Sequence, residues 1–244
     1  MRLSAVFCAL LLALSCAALG ADGILTIEGP GIDLPPRDEP PCPVATLRMN
    51  HDGTTENALT LHTETPVCGS MAEGYGDAAG TVCGIRLLLT RWASMSGECE
   101  IDLLVWDYED DAAGANPGAV LSVTPHIQIT GTALWPEVST FDLDCIDATT
   151  GPDGFFVGYW PRGQVGLPEP IGCAMDQDGP GGVPRINICP DEGPTGWMDP
   201  GVYGWPVHAF GIGAWFVPAG AAEAPETGRV TRVGSWGAMK RLYR

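Results

Sequence analysis

Four carboxylates within five residues form the densest run of charge in the body of the chain: Asp107, Glu109, Asp110 and Asp111. Two apolar runs flank them, and the sequence NPG at 116–118 predicts a turn. Hard cations such as calcium bind six to eight oxygen ligands, and one loop can supply several. The sequence favours a solvated turn whose charges keep a sheet edge soluble. The alternative is a calcium site formed by these four carboxylates, although the spacing is not that of an EF-hand loop.

Eight tryptophans provide a second kind of chemistry, because exposed aromatic rings can stack on sugars. Three of them lie among apolar neighbours in predicted strands and are assigned to the core: Trp106, Trp160 and Trp215. Three others lie in segments rich in Gly and Pro and are predicted to contact a glycan: Trp135, Trp197 and Trp205. The alternative is that these three attach long loops to the body of the protein.

Catalytic motifs are scarce. The four histidines are scattered and none lies in an H-E-x-x-H pattern, and no G-x-S-x-G nucleophile elbow is present. A glycosidase pair of carboxylates is defined by separation in space, which a sequence does not reveal. The sequence therefore favours a non-catalytic protein, with an extracellular hydrolase as the alternative.

The first twenty residues predict an export signal. Arg2 gives a short positive region, residues 3–14 are apolar, and the sequence ALG at 18–20 precedes a plausible cleavage site at Ala21. The apolar run is shorter than the roughly 20 residues that span a membrane. A lipoprotein signal at Cys16 is the alternative, although the residues before it match a lipobox poorly.

Seven cysteines remain after such a signal is removed, and an oxidising compartment favours disulfides. An odd number allows three bridges at most. The best local prediction is Cys173 with Cys189, which would close a loop rich in Gly and Pro, and two other pairings stay open: Cys68 with Cys83, and Cys99 with Cys145. Zinc is disfavoured because no two cysteines have C-x-x-C spacing.

The charge balance excludes some partners. The chain has 30 acidic and 12 basic residues, so that removing Arg2 leaves 11 basic residues and a net charge of −19. Nucleic acids and anionic membranes would repel such a body. We predict no nucleic-acid partner and no transmembrane segment, while calcium and cationic partners are compatible.

Composition divides the chain into a signal (1–20), a Pro-rich leader (21–43), a body (44–217), a linker (218–228) and a basic tail (229–244). Ten short apolar runs in the body predict strands: 44–50, 57–63, 82–91, 99–107, 119–124, 126–130, 138–144, 154–160, 171–175 and 207–217. Their spacing predicts a single antiparallel β-sandwich, similar to a jelly roll, with long Gly/Pro-rich loops. Residues 158–206 carry few strand signals and predict the longest loop.

Four stretches carry a resemblance to secreted proteins of uncharacterised type encoded by poorly cultured bacterial lineages. MNHDGTTENALTL (49–61) is similar to an opening "DDGTxENA" strand, and VWDYEDDAAGANPGAVL and GFFVGYW resemble the "VWDDDGxGGxPGxVL" and "FYVGY" segments. The terminal SWGAMKRLYR resembles a recurrent "TWGxIKxLYR" ending. Met239 replaces the usual Ile, and Glu109 interrupts the Asp run.

The resemblance implies a β-sandwich and a C-terminal segment shared by exported proteins with unlike bodies. A shared ending of this kind implies a sorting or anchoring signal, which would include Trp236, Lys240, Leu242 and Tyr243. The family has no assigned catalytic residues. We therefore expect a secreted, periplasmic or surface-attached binding or structural domain, whose tail contacts a cell-surface or secretion component. The alternatives are a calcium-stabilised carbohydrate-binding module and an extracellular hydrolase.

Overall fold

The computed structural model describes residues 25–28, 42, 44–63, 69–77, 79–111, 114–162, 167–168, 170–188, 196–204 and 206–221. Its strands in chain order are β1 (Leu25–Glu28), β2 (Thr46–Arg48), β3 (Asn57–Thr60), β4 (His62–Thr63), β5 (Ser70–Gly76), β6 (Gly80–Thr90), β7 (Cys99–Asp111), β8 (Gly114–Ile129), β9 (Ser139–Thr150), β10 (Gly154–Pro161), β11 (Leu167–Pro168), β12 (Gly172–Asp176), β13 (Val183–Ile188), β14 (Gly196–Met198), β15 (Ala209–Phe210) and β16 (Ile212–Pro218). The one helix in these residues is a 3-10 helix, Pro200–Tyr203.

Two antiparallel sheets pack against each other, so the predicted all-β sandwich is confirmed. One sheet has eight strands, in the order β1-β3-β12-β6-β16-β2, with β15 paired to β12 and β9 paired to β6. The other has six strands, in the order β14-β13-β5-β10-β7-β8. Strands β4 and β11 form a separate pair. Among the described residues, no helix has the length and apolar character needed to cross a membrane.

The core lies between the two sheets and follows the two-residue period of the strands. On β7, Leu103 and Val105 face the main core, whereas Leu104 and Trp106 belong to a second apolar cluster. On β10, Phe155 and Val157 alternate in the same way with Phe156. Both faces of the six-stranded sheet are therefore covered by side chains. The assignment of Trp106 and Trp215 to the interior is confirmed, and Trp160 is half-buried.

Strands β5 and β13 were not predicted, and they lie next to each other in the six-stranded sheet. The sequence SMAEGYG of β5 has two glycines and a glutamate, which is typical of a loop. Gly74 is needed there because a Cβ would lie 2.6 Å from the Phe156 ring. The predicted long loop at 158–206 is also wrong in part, since it contains β13 and β14 in addition to β12, which matches the strand predicted at 171–175. Neighbouring strands satisfy the backbone of these segments, and this overrides their composition.

A disulfide joins Cys42 to Cys83, with 6.4 Å between the Cα atoms. Both cysteines pack against Trp215 on the outer face of the eight-stranded sheet. The alternative pairing of Cys68 with Cys83 is therefore wrong. Cys145 is a free thiol, and burial raises its pKa to about 12, so the pairing with Cys99 is also wrong. The prediction of Cys173 with Cys189 stays untested, because Cys189 lies outside the described residues.

The proposed segments at the two ends fall mostly outside the described residues. These include the signal (1–20) and the tail with Trp236, Lys240, Leu242 and Tyr243. Within the predicted leader, β1 pairs with β3 in antiparallel register, with Leu25 opposite Thr60. The eight-stranded sheet thus includes a strand from before residue 44.

Candidate functional site: a carboxylate group between two loops

Three carboxylates from separate parts of the chain come together at one end of the eight-stranded sheet: Asp52, Asp176 and Asp178. Their oxygen atoms lie within 4.8 Å of one another, and we call them the carboxylate trio. Asp52 lies in the loop between β2 and β3, which we call the first loop. Asp176 ends β12, and Asp178 begins the second loop, which leads to β13. Among the described residues this is the one group of acidic, His or Cys side chains close enough to share a metal ion.

Asp176 is the fixed member of the trio because it is fully buried. Its Oδ2 accepts a hydrogen bond from the Asp52 backbone N–H at 3.0 Å. Its Oδ1 accepts from the Asp178 N–H at 3.0 Å and the Gly179 N–H at 2.6 Å. Its backbone carbonyl accepts from the His208 N–H at 2.9 Å. One side chain therefore holds both loops in place.

Glu56 makes a second connection between the loops. Its Oε2 accepts from the Gln177 N–H at 2.9 Å, and its Oε1 accepts from the Thr54 hydroxyl at 2.7 Å. The same hydroxyl oxygen lies 2.8 Å from Asp52 Oδ1, so its one proton is shared between the two carboxylates. Two further side-chain contacts thus restrain the first loop, so the trio does not depend on Asp176 alone.

The charges of the cluster act on one another. The Glu56 carboxylate raises the pKa of Asp178, and desolvation and the other two carboxylates of the trio act in the same direction. The Thr54 backbone and side-chain donors lower the pKa of Asp52. Burial lowers the pKa of His51, whose Nδ1 accepts from the Gly53 N–H at 2.9 Å. A cation would relieve the repulsion among the carboxylates.

Glu73 lies beneath the two loops and is fully buried on β5. Its Oε1 accepts from Asn50 Nδ2 at 2.7 Å and from the Val183 N–H at 2.8 Å. Its Oε2 accepts from the Phe210 N–H at 2.9 Å. A Cβ at Gly182 would overlap Oε1, so only glycine fits there. Desolvation raises the pKa of Glu73 to about 7 in spite of these donors. This carboxylate connects the start of the first loop and the end of the second loop to the six-stranded sheet.

The chemistry of this arrangement is that of a hard-cation site. Carboxylate oxygens with backbone carbonyls and water are the usual ligands of calcium. The trio provides three carboxylates from two loops, and the exposed pair, Asp52 and Asp178, faces solvent. The residues present therefore suit calcium better than a soft metal, which would need thiolate or imidazole ligands.

The predicted calcium residues lie elsewhere, at the end of the β7–β8 hairpin. Asp107, Glu109, Asp110 and Asp111 are part of β7 and not of a turn, because β7 continues to Asp111 and β8 begins at Gly114. Successive residues of a strand point to opposite faces. No three of these four carboxylates form a group within 4.8 Å. Asp111 Oδ1 accepts from Asn116 Nδ2 at 3.2 Å. Metal binding at this hairpin stays a prediction.

The two predicted glycan tryptophans that the structure describes, Trp135 and Trp197, lie in different apolar clusters. Trp135 is half-buried and packs against Trp92 and Met95. Trp197 is half-buried on β14, edge-on to Trp106 with 5.1 Å between ring centroids. Trp205 lies outside the described residues. The contacts of the first two fit a role in attaching loops, and glycan binding stays a prediction.

An open depression of about 530 Å³ adjoins the trio. The second loop forms one wall through Gly179 and Gly182, and Arg185, Asp199 and His208 form the others. Arg185 is almost fully buried, and its Nε donates to the Ala115 carbonyl at 2.7 Å. The depression reaches the second loop at Gly179, the residue after Asp178.

Sequence reasoning did not identify the trio because the Asp52–Asp176 contact spans 124 residues. Two local signals were present, namely Asp-Gly-Thr at 52–54 and Asp-Gln-Asp-Gly at 176–179. The second begins like an EF-hand loop and does not complete it. Only the pairing of β12 with β3 brings the two signals together.

Comparison of this chain with protein-family models, with curated proteins and with solved structures finds no match in any of the three.

Proposed function

We propose that the protein is an exported, non-catalytic binding or structural domain that a C-terminal sorting or anchoring signal directs to its place outside the cytoplasm. The observation that carries the export part is the disulfide between Cys42 and Cys83. Disulfides persist in oxidising compartments and are rare in the cytoplasm. The predicted signal at residues 1–20 supports the same location.

The use of buried charge supports a structural or binding role. Arg86 donates to both oxygens of Asp142, at 2.9 and 3.0 Å, and Trp215 Nε1 donates to the same carboxylate at 2.6 Å. Arg162 pairs in the same two-point manner with Asp102, at 2.7 Å for each bond. These charges connect β6 to β9 and β10 to β7. Several buried carboxylates are therefore committed to holding strands together.

Removal of the tail tests the sorting part. Deletion of residues 226–244 should leave the melting temperature of the sandwich unchanged and change the location of the protein in its native host. Four Ala substitutions at Trp236, Lys240, Leu242 and Tyr243 should have the same effect on location, and Ala at Arg229 and Arg232 is the matched control. Unchanged location after the deletion would overturn the sorting signal, and a large loss of stability would show that the tail is structural.

A calcium-stabilised carbohydrate-binding module is the second candidate, and the carboxylate trio favours its calcium part. A glycan array in the presence of calcium and of chelator tests this. Binding that needs calcium and is lost on Ala substitution at Trp135, Trp197 or Trp205 supports the module. Trp236→Ala in the tail is the control, and a silent array removes this candidate.

An extracellular hydrolase is the remaining alternative. Turnover of any member of a broad glycoside or ester panel by the purified mature protein would contradict the non-catalytic proposal. Loss of that turnover in Glu73→Gln or Asp176→Asn would then locate the reaction at the two loops.

A further inference from the structure

We infer that the free edge of β9 is a docking surface for an extended strand of a partner protein in which apolar and basic residues alternate. Such a strand would add to the eight-stranded sheet by β-augmentation, in which main-chain hydrogen bonds supply affinity and alternate side chains supply specificity. The inference rests on the proposed binding role of the domain and names the kind of partner for it. It does not depend on the sorting tail.

Strand β9 lies at an edge of its sheet. In the described part of the chain it pairs with β6 alone, while the other side of β6 is taken by β16 and β12. From Ser139 to Asp144 the ladder with β6 has six consecutive pairs, and a bulge shifts the register before Ala148. Strands are most often five or six residues long. The regular half of β9 therefore offers a row of backbone N–H and C=O groups that is long enough for another strand.

The other long end strand, β8, is protected in ways that β9 is not. Pro117 and Pro125 lie in β8 and remove two backbone donors. Arg185 Nε donates to the Ala115 carbonyl of β8 at 2.7 Å and so occupies an acceptor. Strand β9 contains no proline and no glycine. The end strands β1, β2 and β14 have only three or four residues each, so β9 is the least protected long edge among the described strands.

The inner face of β9 is apolar and incompletely covered. Phe141 and Leu143 pack against the main core but are only half-buried. Leu121 and Ile127 of β8 are half-buried against the same core. Strand β8 ends its own sheet and lies beside β9, so the core is less covered on this side of the sandwich. Apolar side chains of an added strand would contact Phe141 and Leu143 and remove more of their surface from water, which is favourable by about 25 cal/mol per Å².

The outer face of β9 favours a basic partner. Asp144 is exposed, and the residue opposite it on β6 is Gly84, which has no side chain to pair with its charge. Asp142, on the same face, is already paired with Arg86. The sequence from 92 to 161, which supplies β7 to β10, contains no lysine or arginine. A basic residue opposite Asp144 would therefore be attracted, and an acidic one would be repelled.

An NMR titration of the mature, disulfide-bonded protein tests the inference. The probe is an eight-residue peptide in which valine and lysine alternate. One matched peptide has glutamate in place of lysine, and a second has N-methyl groups on all its backbone amides. We expect the lysine peptide to give saturable shifts of the backbone amides of residues 139–144. The glutamate peptide should bind about tenfold more weakly, and the N-methylated peptide should not bind because its main-chain donors are removed.

Charge reversal at Asp144 makes the test local. Asp144→Lys should raise the Kd of the lysine peptide about fivefold, because an attraction between opposed strand residues becomes a repulsion. Asp110→Lys is the matched control, since it makes the same change at an exposed carboxylate of β7. Screening by salt should keep its effect on the Kd below about twofold. Both positions are exposed, so both variants should fold, and their melting temperatures check this.

The contrary results are distinct. Shifts confined to β8 or to the hairpin, or no saturable shift, would overturn the inference. Equal binding of the N-methylated peptide would also overturn it, because side chains alone would then make the contact. Concentration-dependent shifts of residues 139–144 without peptide would show that a second copy of the chain occupies the edge, which contradicts a basic partner strand. None of these results concerns the tail, so export and sorting are decided separately by the location of the protein.

Discussion

The molecule has two acidic regions that differ in origin. At the hairpin of β7 and β8, Glu109, Asp110 and Asp111 are adjacent in sequence, and all three are exposed. At the two loops, the carboxylates of Asp52 and Asp176 are 124 residues apart in sequence and meet in space. The strand separates what the sequence places together, because successive side chains of β7 point to opposite faces. The pairing of β12 with β3 brings Asp52 and Asp176 together, although they are far apart in the sequence.

The two regions also differ in how their carboxylates are held. Asp176 accepts three backbone hydrogen bonds and is fully buried. At the hairpin, the exposed Asp111 accepts a hydrogen bond from the Asn116 side chain, and its neighbours Glu109 and Asp110 are exposed. A buried carboxylate that accepts hydrogen bonds from several backbone N–H groups contributes far more to stability than a carboxylate exposed to solvent. The comparison therefore predicts that removal of a carboxylate lowers the free energy of unfolding more at Asp176 than at the hairpin.

The largest effect is expected for Asp176→Ala. This change leaves the N–H groups of Asp52, Asp178 and Gly179 without their acceptor and opens a cavity. The free energy of unfolding should fall by about 3 kcal/mol, measured by urea denaturation in chelator. Asp176→Asn should recover part of the loss, because its amide oxygen still accepts from one side. Asp178→Ala, which removes an exposed carboxylate from the same loop, is the control and should change the midpoint little.

An equal loss from Asp176→Ala and Asp178→Ala would contradict the anchoring role of Asp176. The two acidic regions would then differ in where their carboxylates lie, but not in how much those carboxylates contribute to stability.

The second effect is a pH dependence from Glu73, the buried carboxylate below the loops. Desolvation raises its pKa from 4.5 to about 7 in the folded protein. A raised folded pKa contributes stability that is complete below pH 4.5 and is lost as the pH rises to 7. The difference in unfolding free energy between wild type and Glu73→Gln should therefore decrease by about 3 kcal/mol across this range. Unfolding in buffers from pH 4.5 to pH 8 measures it.

Glu109→Gln is the control for this profile, since it removes an exposed carboxylate from the other acidic region. Its difference from wild type should stay flat over the same pH range. A flat profile for Glu73→Gln as well would show that the buried carboxylate keeps an ordinary pKa, because its three donors offset the desolvation.

Fold class could be read from the sequence because alternating apolar residues predict strands locally, as at Phe141 and Leu143 on β9, which pack against the main core. β5 could not, because Gly74 and Gly76 are strand residues only in contact with β10 and β13. The trio was missed for a similar reason. Local sequence shows carboxylates such as Asp176, and only strand pairing shows which of them meet. The calcium hypothesis was placed at Asp107 to Asp111 because adjacency in sequence was taken as adjacency in space.

The third effect is a calcium response. Calcium at 100 times its dissociation constant stabilises a protein by about 2.7 kcal/mol, which should raise the melting temperature by several degrees relative to chelator. The double variant Asp52→Asn with Asp178→Asn should abolish the shift, because it removes two of the three carboxylates and keeps their shape. Magnesium at the same concentration tests selectivity. An absent shift in wild type would remove calcium from both acidic regions.

The smallest effect is expected at the hairpin, where a triple variant changes Glu109, Asp110 and Asp111 to their amides. Exposed charges away from buried contacts change stability by less than about 0.5 kcal/mol each. The free energy of unfolding of the variant should therefore lie within about 1.5 kcal/mol of wild type, and the variant should keep the full calcium shift because it leaves the trio intact. If the triple variant loses the shift while the double variant at Asp52 and Asp178 keeps it, calcium binds where the charge is dense in sequence. The carboxylates that meet in space would then be a structural contact between two loops.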